Sequence, residues 1–304
     1  IAPIYMSYII PQEIIDKIKE TIPIEDVIGK VVTLKKAGVN RIGLCPFHAD
    51  RTASMYVSPN KQIFKCFACG EGGNVITFVE KSEWLTFPEA CRQLAKDYSI
   101  DIPEVEMSPE ELEKEKLRES MYIALDVAQK QFTENLDNSS DTMAYLKNVR
   151  GLSDEMIKLY GAGFARNDNQ ITREFVQKGY NFDVLLASGL TKVKEDTGYK
   201  YDFFFDRVTF PFYSISGKII GFTGRTLSND KSSLKYFNTG DTSLFNKGKV
   251  LFGIQQAKQA ISRTRKAYFV EGQFDVISWY QYNIKNTVCS SGTALSDEQA
   301  TLLH

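Results

Sequence analysis

The sequence predicts a multidomain α+β protein: a small antiparallel sheet with helices, then a mixed α/β region, then the start of an α/β fold. Three observations support this prediction. Short apolar runs separated by turn residues occupy 31–64, helical periodicity dominates 74–149, and short strands rich in aromatic and basic residues begin at 203. With 304 residues, 43% of them hydrophobic and 25% charged, the chain has material for two or three cores.

Two pairs of metal-binding residues lie in the first region. Cys45 and His48 are separated by two residues, and so are Cys66 and Cys69. Three thiolates and an imidazole suit a closed tetrahedral Zn²⁺ site, and a two-residue gap lets one tight turn direct both members of a pair at one ion. Buried thiols paired by chance are the alternative, but chance rarely produces this spacing twice in so short a span. The sequence predicts one structural zinc ion per chain.

The residues around these pairs predict two hairpins, with strands at 31–34 and 41–44 and at 55–57 and 62–64. This arrangement is typical of a zinc ribbon. Seven basic residues and one acidic residue, Asp50, occupy 27–66, so the sheet is expected to be cationic. Tyr56, Phe64 and Phe67 lie among these charges, as in sheets that stack unpaired bases. Burial around the zinc is the alternative, and we favour it for each ring taken singly.

The net charge of −1 conceals a basic zone at 207–265, which contains ten basic and two acidic residues. Aromatic residues alternate with cations there, as in grooves that hold phosphates and leave the bases accessible. A surface strand with ordinary lysines is an equal alternative for any single cation but does not account for the set. We therefore expect a polyanion to bind this zone.

Composition also places domain boundaries. We predict a zinc domain at 1–102, a charged linker helix at 103–119, a mixed α/β basic subdomain at 120–262 and an incomplete α/β domain at 263–304. Ser108 can cap the linker helix, Pro109 fits its first turn and Glu111 completes a capping box.

No apolar run approaches the length of a membrane span, and the start of the chain lacks the pattern of a signal peptide. Three of the five cysteines are assigned to metal, which favours a reducing compartment over a disulfide framework. Cys91 and Cys289 lie in apolar periodic surroundings and are predicted to be core residues. We expect a cytoplasmic protein with no membrane partner.

The segment 266–282 predicts a buried strand, a sharp turn and a helix. Glu271 then falls at the carboxyl end of the strand, where open α/β sheets place ligands, and Asp275 lies one helical turn beyond it. Hard carboxylate ligands favour Mg²⁺. Stabilisation of the helix dipole is the alternative for Asp275 alone.

Three sets of motifs resemble the bacterial replicative DNA primases of the DnaG type. The first set, Cys-Pro-Phe-His at 45–48 and Cys-Phe-Ala-Cys at 66–69, is similar to their zinc domain. The second, at 221–227, 235–238 and 245–253, is similar to the basic motifs of their RNA polymerase domain. The third, at 270–276 and 291–295, is similar to the start of their Toprim fold, although Gln273-Phe274 replaces the common Tyr-Met.

The resemblance implies synthesis of short RNA primers on single-stranded DNA by template-directed nucleotidyl transfer that depends on Mg²⁺ or Mn²⁺. It assigns Glu271 as the first Toprim carboxylate and Asp275 as a neighbouring acidic position of the active centre. The cleft for template, primer and ribonucleoside triphosphate is implied to be lined by Arg150, Arg207, Arg225, Lys235, Asn238 and Lys247. It also implies a replicative helicase as partner, bound through a C-terminal region absent from this sequence.

The sequence ends before the Asp-x-Asp motif that completes Toprim folds. We therefore expect the chain to be the amino-terminal part of a primase, with a poorly packed first Toprim strand and helix, which binds DNA but makes no primer alone. The alternatives are a catalytically inactive zinc-containing DNA-binding module and a phage or plasmid primase.

Overall fold

The computed structural model describes residues 10–103, 108–227, 235–290, 292 and 294–303. These residues divide into two units. The first contains the described residues up to Leu112 together with Ser262–Arg265, and the second contains those of Glu113–Ile261 and Lys266–His304. Among the described residues, no helix combines the length and the apolar character needed to cross a bilayer.

The first unit is built on a five-stranded antiparallel sheet whose strands follow one another in sequence order. The strands are β1 (Lys35–Ala37), β2 (Asn40–Gly43), β3 (Met55–Ser58), β4 (Ile63–Cys66) and β5 (Gly72–Gly73). Its helices are α1 (Gln12–Thr21), α2 (Ile24–Gly29), α3 (Val75–Glu83) and α4 (Phe87–Asp97). The strand predicted at 31–34 is wrong, because the amides of Val31 and Val32 bond back to the Ile28 carbonyl and continue the turn of α2.

One face of this sheet forms the core of the first unit. Met55 and Val57 of β3 are fully buried, whereas Tyr56 between them is exposed, as the two-residue period of a strand requires. Phe64 is also buried and contacts Phe78 of α3 edge-on, with ring centroids 5.5 Å apart. Phe64 is therefore a core residue and cannot stack a base.

The second unit opens with helices, the first of which begins four residues earlier, in the first unit. They are α5 (Pro109–Asp137), α6 (Ser140–Ala144), a π-helical turn (Tyr145–Val149), α7 (Asp154–Leu159), α8 (Gln170–Gln177) and α9 (Phe182–Ala187). The capping box predicted for the first of these is confirmed, since the Ser108 amide donates to Glu111 Oε2 at 3.0 Å and the Glu111 amide donates to Ser108 Oγ at 3.3 Å. The long helix α5 packs its buried face, which includes Phe132, against the sheet that follows.

That sheet has four antiparallel strands in the order β11-β10-β9-β6. They are β6 (Gly163–Ala165), β9 (Arg207–Tyr213), β10 (Ile219–Thr226) and β11 (Tyr236–Asn238), and a separate hairpin pairs β7 (Thr191–Val193) with β8 (Lys200–Asp202). The apolar side chains of β9 and β10 are buried, and an aromatic core contains Phe210, Phe212, Phe252 and Phe274. The strands that carry Arg207 and Arg225 are therefore supported by this aromatic core.

The last part of the second unit contains α10 (Ile254–Thr264), β12 (Tyr268–Phe269), α11 (Gln273–Gln281), β13 (Thr287–Val288) and α12 (Asp297–Thr301). The predicted order of strand, turn and helix is confirmed, and β12 pairs with β13 in parallel. The prediction that the strand before Glu271 is buried is wrong: Tyr268 and Phe269 of β12 are 46% and 41% exposed, because only β13 flanks β12 among the described strands. Helix α11 and strand β13 are better packed than expected, since Ile277 of α11 and Val288 of β13 are fully buried. Ser291 and Thr293 of the third motif set lie outside the described residues.

Candidate metal centre and nucleic-acid interface

The four predicted zinc ligands lie together in the first unit. One donor atom from each of Cys45, His48, Cys66 and Cys69 lies within 4.8 Å of the others. The sulfurs of Cys45 and Cys69 are 3.8 Å apart, and His48 Nδ1 is 4.0 Å from the Cys66 sulfur. This donor set and spacing fit a tetrahedral Zn²⁺ ion.

The strands place these donors. Cys45 and His48 follow β2, and Cys66 is the last residue of β4. A turn then brings Cys69 back: its amide donates to the Cys66 sulfur at 3.5 Å, and Gly70 adopts the positive φ (83°) that favours glycine. Each pair therefore occupies the end of a strand, as predicted.

Asp50 and Ser54 support the ligands and were missed by the sequence reasoning. Asp50 Oδ2 accepts from the Cys45 amide at 2.9 Å and from Ser54 Oγ at 2.6 Å, while Ser54 Oγ lies 3.3 Å from the Cys66 sulfur. Asp50 Oδ1 is also 3.6 Å from His48 Nε2, the ring nitrogen opposite the one that faces the thiols. A carboxylate behind a ligating histidine is a frequent support in zinc sites. The position of Asp50, two residues after His48, was the signal in the sequence that could have identified this support.

Burial raises the pKa of the Cys45 thiol and that of the Cys69 thiol. Burial also acts on Cys66, but the contact with Ser54 and hydrogen bonds from the amides of Cys69 and Ala68 outweigh it and lower the pKa of Cys66. Metal binding requires thiolates, so a cation at this site would compensate the burial of their charge.

The exposed face of the same sheet carries a row of polar and aromatic side chains. Lys35 lies opposite Ile42, Ile42 opposite Tyr56 and Tyr56 opposite Lys65, so all four share this face. Tyr56 is 38% exposed and contacts Phe67, which is 75% exposed, with ring centroids 5.5 Å apart. Tyr56 and Phe67 thus remain available to stack bases, unlike Phe64.

In the second unit, two of the predicted basic residues converge on one aromatic ring. The guanidinium carbons of Arg150 and Arg225 lie 4.6 Å and 5.5 Å from the ring centroid of Phe274. Both also approach Tyr145, at 5.3 Å and 5.8 Å. We call Arg150, Arg225, Phe274, Tyr145 and Tyr236 the arginine–aromatic cluster.

Hydrogen bonds complete this cluster. Arg150 Nε donates to the Tyr145 hydroxyl at 2.7 Å, and Arg225 Nη1 donates to the Tyr236 hydroxyl at 2.9 Å. Burial raises the pKa of each of these two tyrosines, so both phenols are neutral at pH 7. The cluster therefore has a net positive charge.

Arg207 and Asn238 lie on β9 and β11, the two strands that flank β10, and Lys235 directly precedes β11. Arg207 of β9 is 3% exposed, with its guanidinium carbon 3.9 Å from the Phe237 ring centroid and Nη1 donating to the Lys235 carbonyl at 3.5 Å. Burial lowers the pKa of Arg207. The Lys235 side chain is exposed, and Asn238 is half-buried opposite Thr223 of β10.

Lys247 lies in the loop before α10. Its amide donates to Asp241 Oδ1 at 3.1 Å, and its carbonyl accepts from Gln299 Nε2 at 3.0 Å. These bonds hold the backbone, whereas the Lys247 side chain is partly exposed.

Glu271 and Asp275 are both exposed at the start of α11. Asp275 Oδ2 accepts from the Gly272 amide at 3.0 Å, so this carboxylate caps the start of α11. In the described part of the chain, no third carboxylate, histidine or cysteine gathers with them at ligand distances. Gln273 between them is buried and donates to Thr223 Oγ1 at 3.1 Å, which joins this turn to β10.

The structure thus brings Arg150 and Arg225 together, sets Arg207 and Asn238 on the strands that flank β10, and leaves Lys235 directly before β11. The sequence reasoning missed the two aromatic residues that contact both arginines, Tyr145 and Phe274, and the contact of Tyr236 with Arg225. Phe274 carried a signal, because it lies directly before Asp275 and differs from the residue common in the resembling family.

A ribbon with four zinc donors, followed by a basic α/β core that leads into a carboxylate-bearing turn, is typical of the class of nucleic-acid-binding proteins. Family models match the chain in the same order: a CHC2 zinc finger at 10–110, the N-terminal domain of the DNA primase catalytic core at 130–258, and a Toprim-like model at 268–304. The zinc-finger match and the Cys/His cluster together support a structural zinc ion.

Individual relatives agree. The DNA primase of Halalkalibacterium halodurans is 40% identical over 303 residues, which are 98% of this chain and 50% of the relative. The crystal structure of the Aquifex aeolicus primase (zinc binding and RNA polymerase domains) is 36% identical, with a TM-score of 0.57, over 95% of this chain and 69% of that one. A DnaG primase catalytic domain bound to ssDNA is 33% identical, with a TM-score of 0.55, over 62% of this chain and 58% of that one.

The chain belongs to the family of bacterial DnaG-type DNA primases. The resemblance found in the sequence is therefore confirmed. The chain spans about half the length of the curated relatives it matches.

Proposed function

We propose that this chain supplies the template-binding and nucleotide-binding parts of a DNA primase, which makes short RNA primers on single-stranded DNA by template-directed nucleotidyl transfer. The observation that carries the proposal is the arginine–aromatic cluster, two cations beside the turn that presents Glu271 and Asp275. Phosphoryl transfer needs this combination, because cations position the phosphates near hard carboxylate ligands. A related catalytic domain bound to ssDNA supports the choice of template.

We place domain boundaries after residues 102, 119 and 262, which separate the zinc domain, the linker helix, the basic subdomain and the incomplete Toprim domain. In the first part Cys45, His48, Cys66 and Cys69 hold a structural Zn²⁺, and Lys35, Lys65, Tyr56 and Phe67 contact the template through phosphates and stacked bases. In the second unit Arg150, Arg207, Arg225, Lys235, Asn238 and Lys247 line the cleft for template, primer and ribonucleoside triphosphate. We propose a replicative helicase as a partner of the whole protein. We also propose that the protein is located in the cytoplasm.

Glu271 and Asp275 are the residues that would hold Mg²⁺ or Mn²⁺. Their exposed carboxylates at one helix start fit a hard divalent ion. A bound ion of this kind lowers the electrostatic cost of charge at the reacting phosphate. The Asp275–Gly272 hydrogen bond keeps this turn in one conformation and so orients the carboxylates.

We further propose that this 304-residue chain binds DNA but makes no primer by itself. Two-metal phosphoryl transfer requires ions fixed a few ångströms apart. Among the described residues, Glu271 and Asp275 have no third ligand that would enforce such spacing.

The test of the function uses the full-length gene product, a single-stranded template, labelled ribonucleotides and Mg²⁺ or Mn²⁺. Template-dependent oligoribonucleotides are expected, and Glu271→Gln should abolish them while DNA binding persists. Glu134→Gln, an exposed change on α5, is the matched control. A Glu271→Gln variant with full activity would exclude Glu271 from catalysis, and a product that needs no template would refute the function.

The same assay applied to the 304-residue chain tests its inactivity. Binding of a fluorescent oligodeoxythymidylate without ribonucleotide incorporation is expected. Incorporation that depends on the template would show that these residues suffice for catalysis.

A further inference from the structure

We propose that Phe274, with Tyr145 beside it, is a positioning residue that holds Arg150 and Arg225 together as one phosphate-binding pair. The inference rests on the proposed function only in taking the bound anion to be the triphosphate of a nucleotide or the phosphodiester backbone of a nucleic acid.

Arg150 ends the π-helical turn and Arg225 lies on β10, so the two side chains reach Phe274 from different elements. Both guanidinium groups lie within the range in which the electron-rich ring face attracts a cation. The ring of Tyr145 stands perpendicular to that of Phe274, with centroids 6.5 Å apart, and offers each guanidinium a second aromatic contact.

Two cations near one another repel, and a carboxylate paired with them usually offsets the repulsion. Among the described residues, neither Arg150 nor Arg225 forms an ion pair, although the exposed Asp275 directly follows Phe274. Aromatic rings and neutral phenols therefore make the direct contacts of this pair, and its guanidinium groups can bind an anion without breaking an ion pair.

Each guanidinium group of the pair has five N–H donors, and one of them bonds to a tyrosine hydroxyl: that of Tyr145 for Arg150 and that of Tyr236 for Arg225. Arg225 Nε is buried and has no acceptor among the described residues, so ring contacts rather than saturated hydrogen bonding account for the position of this group. Several donors on each arginine remain for phosphate oxygens, the ligands that guanidinium groups bind most favourably.

Phe274→Leu separates positioning from packing. Leucine keeps an apolar side chain in the core but removes the ring face that attracts both cations. We expect the affinity of the chain for a phosphate ligand to fall about tenfold, as loss of a partly desolvated cation–π contact would produce. Phe274→Tyr, which retains a ring, should restore most of it.

Phe252→Leu is the matched control, because Phe252 lies in the same aromatic core and contacts the rings of Tyr160, Phe210 and Phe212. It should leave the affinity unchanged. Two probes distinguish the source of the phosphate: inorganic tripolyphosphate for a nucleotide and oligodeoxythymidylate for a backbone. If Phe274→Leu loses affinity for only one probe, the arginine pair binds that ligand and the inference is supported. A loss of affinity for both probes also supports the inference.

A spectrum of the unmodified chain provides a test that does not depend on whether the variants fold. The Nε–H resonances of Arg150 and Arg225, assigned through Arg→Lys variants, should be displaced upfield by the ring current and should move when tripolyphosphate or oligodeoxythymidylate is added. Resonances at ordinary positions, equal affinity in Phe274→Leu, or no binding of either probe would each overturn the inference. Failure of primer synthesis in the full-length gene product would instead remove the proposed function and leave these binding results standing.

Discussion

The metal centre of the first unit and the arginine–aromatic cluster of the second hold polar groups in place by different means. At the metal centre, four donors from two short segments gather within 4.8 Å. In the cluster, two arginines from different elements are held by aromatic rings, above all by Phe274 of a third element. The first arrangement depends on a strong coordination bond, and the second on several weak contacts.

This difference has energetic consequences. Zinc binding contributes a large share of the folding free energy of small zinc modules, so the loss of a ligand should unfold the ribbon. Each contact between a cation and a ring is small, so a change in the cluster should alter ligand affinity and leave the fold intact. Substitutions at the metal centre should therefore have larger effects than substitutions of surface cations or helix caps.

The largest effect is expected from Cys66→Ser combined with Cys69→Ser. Removal of two of four donors should abolish zinc binding, with an apparent loss on the order of 10 kcal/mol, and unfold the ribbon. Elemental analysis and circular dichroism measure both outcomes. Cys91→Ala is the control, because Cys91 is a buried core thiol of α4 and should not affect the zinc content. Stoichiometric zinc in the double variant would disprove the assignment.

A smaller effect is expected from Asp50→Ala. This change removes the acceptor of the Cys45 amide and the carboxylate behind His48 but no ligand, so zinc affinity should fall about 10- to 100-fold. Competition with a chromophoric chelator measures the affinity. Asp101→Ala, an exposed change in the same unit, should have no effect. Equal affinity for both variants would mean that the ligands are held without Asp50.

Charge reversal at Lys235 or Lys247 should weaken the binding of single-stranded DNA. Each change should also flatten the dependence of log K on log salt by about one phosphate contact. Fluorescence anisotropy over a range of salt concentrations measures both quantities. Lys194→Glu, an exposed change outside the basic zone, is the control. If Lys235→Glu and Lys247→Glu both match the unmodified chain, these side chains make no phosphate contact.

The smallest effect is expected from Asn74→Ala. Asn74 Oδ1 accepts from the amides of Ile76 and Thr77 and so caps α3, and its loss should destabilise the zinc-bound unit by about 1 kcal/mol. Thermal unfolding in the presence of zinc measures the change. Asn74→Ser retains an acceptor and should recover most of the stability, and equal losses in the two variants would argue against the cap.

Local spacing explains why so much could be predicted. The interval of two residues in each metal pair, the capping box at Ser108 and the strand–turn–helix order around Glu271 depend on neighbours in the chain, and the structure has all three. The same local patterns carried the resemblance to DnaG-type primases. The strand predicted at 31–34 failed because a short apolar run can equally extend a helical turn, and here it does.

The sequence by itself therefore determined the family, the zinc donors and the order of the elements, because these follow from residue type and short intervals. Only the tertiary structure decided that Phe64 is buried while Tyr56 and Phe67 are exposed, since the choice depends on which face of the sheet α3 covers. It also decided that Phe274 contacts both Arg150 and Arg225. These three residues are distant in the sequence, and their contact exists only because the π-helical turn, the sheet and α11 pack on one aromatic core.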